Sequence, residues 1–288
     1  MVPNDGHMRG PVTSDIKATL SSLKREEWAQ KRRGPEQFAA ANSAFRNAVS
    51  NRLKARSLLT TGVTPITPAS VTLDTPFLIW AFHDGGPANI LSDTHIERQN
   101  SWARFISQWK HGGPFLGHDE VGFFFLWQND TGSDAVVDVE SQLMLAGRSS
   151  VFADSGLILS PFWGQGTSGS SRLRIESELA ILEWWNQPPT RPLQQPSQLH
   201  EVIDMSADGG WIFLGSGNGD SEWLSGSHHV HYDMFLIPMN AVAVFEVSLN
   251  MYYSGSKGDG SVDFQSAEEP LTCPYVQLTT PTSPLRNA

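Results

Sequence analysis

A single cysteine stands in the 288 residues, so no intramolecular disulfide can staple this chain. Cys273 lies in a proline-rich tail with no base near it in sequence, which makes it a structural or incidental thiol rather than a nucleophile. Long apolar runs are missing as well. Stretches such as 121–127 are far shorter than the roughly 20 residues a helix needs to cross a bilayer, and the opening MVPNDGHMRG lacks the apolar segment of a secretory signal. The expectation is a cytoplasmic protein or a component of an assembled particle, without a membrane partner.

Familiar catalytic patterns are also lacking, and each absence removes a reaction class. There is no Gly-x-Ser-x-Gly elbow and no P-loop. His200-Glu201 begins like a zinc-protease helix, but position 204 is Asp where the second histidine belongs. Gly215, Gly217 and Gly219 make a glycine-rich turn with no helical pattern after it to receive a phosphate. Paired carboxylates for glycoside hydrolysis stay open, because their geometry is invisible in one sequence. No cofactor is expected.

What is present favours β-structure. Charged residues make up only 17% of the chain, Gly and Pro together number 43 and Trp 10, a composition that suits short strands joined by many turns. Alternating or apolar stretches predict strands at about 73–82, 121–128, 134–147, 172–186, 199–205, 210–214, 229–238 and 240–253. In the third of these, Val137, Val139, Leu143 and Leu145 alternate with Asp138, Glu140 and Gln142, so one face is dry and the other wet. Between 92 and 111 the spacing of Ile96, Trp102, Phe105, Ile106 and Trp109 reads as a helical turn or two. The fold class expected is a β-sandwich of jelly-roll type.

Around that body, at 71–267, the chain divides by composition. A polar tail, 1–14, precedes a basic helical arm, 15–59, in which Ile16, Leu20 and Leu23 form one apolar stripe and Phe38, Ala41, Phe45, Val49 and Leu53 another. A Thr/Pro-rich linker, 60–70, follows, and a Pro-rich C-terminal arm occupies 268–288. Residues 1–58 hold 11 of the 20 Lys and Arg but 5 of the 30 acids, leaving the arm at +6 and the rest at −16. Such an arm, with Arg32, Arg33, Arg46, Arg52, Lys54 and Arg56, suits either a nucleic acid or an acidic protein surface, its own body or a neighbouring copy.

A weak internal repeat runs through the body: AVVDVESQLMLAG (135–147) resembles AVAVFEVSLNMYYSG (241–255), and FFFLWQN (123–129) resembles DMFLIPMN (233–240). It would make the body two related halves, 73–156 and 173–256, packed as one sandwich or as twins. In the same alignment His118 corresponds to His228.

Three groups of residues are candidates for chemistry. His228, His229 and His231 could share a metal, since His229 and His231 fall on one face of a strand. This element is similar to the His-x-His of cupins, a resemblance confined to these residues: the glutamate and the later Gly/His/Asn element are missing, and a cupin-like metal-dependent enzyme is what it implies. Trp163, Trp211 and Trp223 sit beside Gly and Ser in expected loops, where an indole can stack on a sugar or anchor a partner. Trp80, Trp127 and Trp184 are expected to fill the core. Asn218, Asp220 and Glu222 are a loop with weak calcium-binding character.

The leading expectation is a non-enzymatic assembly or recognition subunit, a homo-oligomer clasped by its terminal arms. In plan, a jelly-roll with a basic arm looks like the subunits of virus or phage particles. The alternatives are a carbohydrate-binding module built on the loop tryptophans and the cupin-like enzyme.

Overall fold

The computed structural model describes residues 16, 18–20, 22–23, 70–84, 89–157, 168–184, 193–194, 198–209, 211–212, 217–265 and 268–281. Its strands in chain order are β1 (Ser70–Leu73), β2 (Leu78–Asp84), β3 (Asn89–Glu97), β4 (Trp102–Gln128), β5 (Ala135–Ala153), β6 (Gly156–Leu157) and β7 (Ser170–Trp184). They continue with β8 (Leu193–Gln194), β9 (Gln198–Asp208), β10 (Trp211–Ile212), β11 (Asn218–Ile237), β12 (Val242–Asp263), β13 (Leu271–Thr272) and β14 (Val276–Thr279).

Two long ladders organise these strands. β4 runs antiparallel to β12 from Gln128↔Val242 to Ile106↔Asp263, and β5 runs antiparallel to β11 from Ala135↔Ile237 to Ala153↔Asn218. Because β4 leads into β5 and β11 leads into β12, the ladders are one antiparallel ribbon folded over on itself, the principle of a jelly-roll. Asn129, fully buried, clips the fold-over: its Nδ2 donates to the carbonyls of Ser133 (2.8 Å), Ile237 (2.8 Å) and Pro238 (3.1 Å). Backbone bonds Asn129 N–H to Ala241 O (2.9 Å) and Asn240 N–H to Asn129 O (2.8 Å) carry the pairing round the corner. Asn240 takes φ of 65° there, a left-handed conformation that asparagine tolerates.

The result is a two-layer β-sandwich. The first layer orders β2, β4, β12, β7 and β9; the second orders β11, β5, β14 and β1, with β13 also beside β5. β12 changes layers partway, pairing with β7 up to Ser256↔Ser170 and with β5 from Gly258↔Ala153 onward. The step between them requires Gly255, whose φ is 156° and whose Cβ, if it had one, would lie 2.0 Å from the Ser170 carbonyl oxygen.

Alternation decides which side chains meet between the layers. Val137, Val139, Leu143 and Leu145 of β5, Phe123 and Phe125 of β4, Phe245, Val247 and Leu249 of β12, and Leu179 and Ile181 of β7 belong to one apolar core. Each such side chain contributes about 1.5–3 kcal/mol on burial. Since both segments of the expected repeat feed this one core, and their strands pair with each other in both layers, they interleave rather than stack as separate halves.

The outward side of the first layer is also apolar at one end. Phe124, Leu182, Val242 and Val244 pack there with Ile16 and Leu20, which lie on helical residues and are fully buried, and with Leu23 beside them. The first apolar stripe of the arm therefore covers the chain's own body. The rest of the arm, including Arg32, Arg33, Arg46, Arg52, Lys54 and Arg56, lies outside the described residues.

Three expectations need correcting. Residues 92–111 are the end of β3, a turn at 98–101 and the start of β4, not helix: Ala103, Phe105, Ser107 and Trp109 are buried and their neighbours are not, a period of two that the spacing of the aromatics conceals. The C-terminal segment is built into the body over 268–281 rather than standing off as an arm: Val276–Thr279 pair with β5 and β1, and Leu271, Cys273, Val276 and Leu278 are buried. Trp80 and Trp127 are half-buried at the margins of the packing instead of at its centre.

Candidate functional site

The histidine cluster lies on β11, whose alternation divides it. His229 and His231 share the outward face and are exposed, while His228 turns to the other side, partly buried, with its ring 6.2 Å from that of His200 on β9. Burial, then the neighbouring His200 and His229, holds the His228 pKa below the usual imidazole value. His231 Nε2 is 4.0 Å from Asp233 Oδ2, both solvent-exposed. Among the described residues no three metal-ligating side chains converge, so the expected three-histidine site is not assembled. Asn218, Asp220 and Glu222 are strand residues of β11 rather than a calcium loop. His200-Glu201 lies on strand β9.

Two polar networks that the sequence did not reveal lie elsewhere. Between the layers, Asp119 accepts hydrogen bonds from Ser107 Oγ, His83 Nδ1 (2.6 Å) and Tyr253 OH (3.3 Å), with Tyr253 stacked on Trp109 at 4.6 Å. Serine, histidine and aspartate are thus together but not arranged for catalysis. Ser107 directs its proton at the carboxylate, which is the wrong partner for activating a nucleophile.

On the outward side of the first layer, Asn250 joins three strands. Its Oδ1 meets His118 Nε2 of β4 at 2.9 Å, and its Nδ2 donates to Glu178 Oε2 of β7 at 3.0 Å and to Ser248 Oγ at 3.2 Å. The His118 ring stacks on Tyr252 at 4.5 Å. Glu120, Glu176, Glu178 and Glu246 are all buried on this side, and burial raises the Glu176 pKa despite the adjoining Arg174. These partners are separated by up to 132 residues, which explains why no local motif marked them.

The second layer is different. Trp223, expected in a loop, sits within β11 and is 71% exposed, the most exposed of the chain's described large apolar residues. Its same-face neighbours along the strand are hydroxyls, the exposed Ser221 and Ser225, and farther along Ser227 Oγ donates to Gln142 Oε1 at 2.7 Å. Across the ladder Arg148 is its direct partner, with the guanidinium carbon 5.6 Å from the indole centroid. Trp211 pairs in parallel with Gly156 through β10 and β6; its side chain, like all of Trp163, lies outside the described residues.

Cys273 is fully buried between Ser141 Oγ (3.4 Å) and the Tyr275 carbonyl (3.9 Å), and burial pushes its thiol up to about 12. It is a packed core residue without reactivity at neutral pH.

No protein-family model and no curated protein matches the chain. Among solved structures it is similar to TmCBM61 in complex with β-1,4-galactotriose, at 7% identity over 69% of this chain and 90% of that one, with a TM-score of 0.16. It is also similar to TmCBM27, a carbohydrate-binding module studied for mannan recognition, at 13% identity over 74% and 96%, with a TM-score of 0.23. At such scores neither likeness bears on what this chain binds.

Proposed function

We propose that the chain is a non-catalytic recognition module that binds carbohydrate on the outward face of its second layer. The observation that carries this reading is Trp223: a strand tryptophan 71% exposed, flanked along its strand by Ser221 and Ser225 and across the ladder by Arg148, on a face that no other described segment covers. An indole presented on a strand offers a stacking surface for a sugar ring at little cost in conformational entropy, and the hydroxyls match a sugar's own donors and acceptors.

The assembly reading drew its support from free terminal arms. The described parts of both arms lie on the chain's own body, so the recognition half of that expectation is the one carried forward. Among the buried glutamates of the first layer, Glu178 is tied to Asn250, a packing role that supports binding rather than hydrolysis.

A glycan array probed with the wild-type chain and with Trp223→Ala tests the reading. Binding to a defined set of glycans that disappears in the variant supports it; equal binding by both, or none by the wild type, contradicts it.

A further inference from the structure

We propose that the Trp223 face selects an anionic sugar, one bearing a carboxylate or sulfate, and that Arg148 is the residue that holds the charge. This rests on the carbohydrate reading above and adds the ligand class.

Two arginines of the first layer are held by carboxylates. Arg172 is bound to Asp204 through Nε at 2.8 Å and through Nη2, and Arg174 is paired with Glu176 and lies 3.6 Å from Glu201. Arg148 has no such partner: among the described residues no carboxylate lies within ion-pair distance of it. Its only described polar contact is a long bond from Nη2 to Ser221 Oγ, 3.4 Å.

Two acids close to Arg148 in the ladder accept backbone N–H groups. Asp263, opposite Arg148 on β12, accepts the Gln265 N–H at 2.8 Å, and Asp220 accepts the Ser221 N–H at 2.8 Å. Glu222 and Asp220 alternate to the other side of β11 from Trp223. A guanidinium has five donors in a planar fork that matches a carboxylate or sulfate, and such charge-assisted pairs are about twice as strong as neutral ones. With its carbon over the indole, 5.6 Å from the ring centroid, the fork is within reach of a sugar stacked on the open part of Trp223, whose acidic substituent can then meet Arg148.

Isothermal titration separates this proposal from the reading beneath it. The probes are galacto-, manno- and gluco-configured trisaccharides, each in neutral, uronic and sulfated form, titrated into the full chain and into folded Arg148→Gln and Trp223→Ala variants at low and high salt. The expected result is preferential binding of a charged form, weakened by salt, lost in Trp223→Ala, and reduced about tenfold in Arg148→Gln by loss of the charge-assisted pair. Neutral sugars bound as tightly as charged ones, with Arg148→Gln unaffected, overturn the charge assignment and leave the Trp223 platform standing. Charged sugars bound equally by wild type and both variants place the contact away from this face and overturn the proposal. Absence of binding by all nine overturns both.

Discussion

The outward faces of the two layers arise from the same strand alternation and end in opposite conditions. On the first, Phe124, Val244 and Leu182 lie beneath Ile16 and Leu20, and Asn250 is bound to His118, Glu178 and Ser248. On the second, Trp223, Arg148 and Met144 face water. An outward aromatic therefore carries no functional meaning by itself. Phe124 is outward and 1% exposed because the chain supplies its own cover; Trp223 is outward and bare. Only where the cover is missing does the residue need a partner from outside.

The strongest way to break this contrast is one substitution on each face. Phe124→Ala should cost about 3–5 kcal/mol in urea unfolding, the range for emptying a packed aromatic site, whereas Trp223→Ala should change stability by less than about 0.5 kcal/mol while abolishing glycan binding. Equal losses would mean that the two faces are packed alike. Next, Leu20→Ala should cost about 2–4 kcal/mol if the helical residues belong to the fold; an unchanged midpoint would show that the first layer's cover is not part of it.

Smaller effects sharpen the polar end of the first face. Asn250→Ala should cost about 1–3 kcal/mol, because buried His118 and Glu178 each lose a partner; the unfolding midpoint at constant m-value reads it. Glu176 gives the smallest change. Its folded pKa is raised, chiefly by burial, so its contribution to stability is present below its ordinary value of 4.5 and lost as pH rises through the raised value. Glu176→Gln should therefore be more stable than wild type at pH 7, with the gain vanishing below about pH 4.5 in pH-dependent thermal melts. A penalty at pH 7 would give the Arg174 pair the larger share.

Much of the core was legible because alternation is local. Val137, Val139, Leu143 and Leu145 point inward as their spacing with Asp138, Glu140 and Gln142 demands, and Ile16, Leu20 and Leu23 pack on the face that their three- and four-residue intervals define. Illegible features depend on distant partners. Trp223 reads as a loop residue because glycines and serines surround it, and only the ladder to β5 makes 218–223 a strand. The two-residue strand at Leu271–Thr272 is too short to carry a pattern and is fixed by pairing with Met144, Leu145, Trp102 and Ala103. Asp119 gathers its donors from three strands. His229 and His231 fall within the expected strand 229–238, but a metal site would have required His228 on the face from which alternation excludes it.

The most direct test of the central claim, that the second layer's outward face is the binding face, is hydroxyl-radical footprinting read by mass spectrometry with and without a bound glycan. The account predicts heavy oxidation of Trp223 and little of Phe124 in the free chain, with Trp223 alone strongly protected when glycan is added. A Trp223 already protected in the free chain, or oxidised equally with glycan bound, would contradict it.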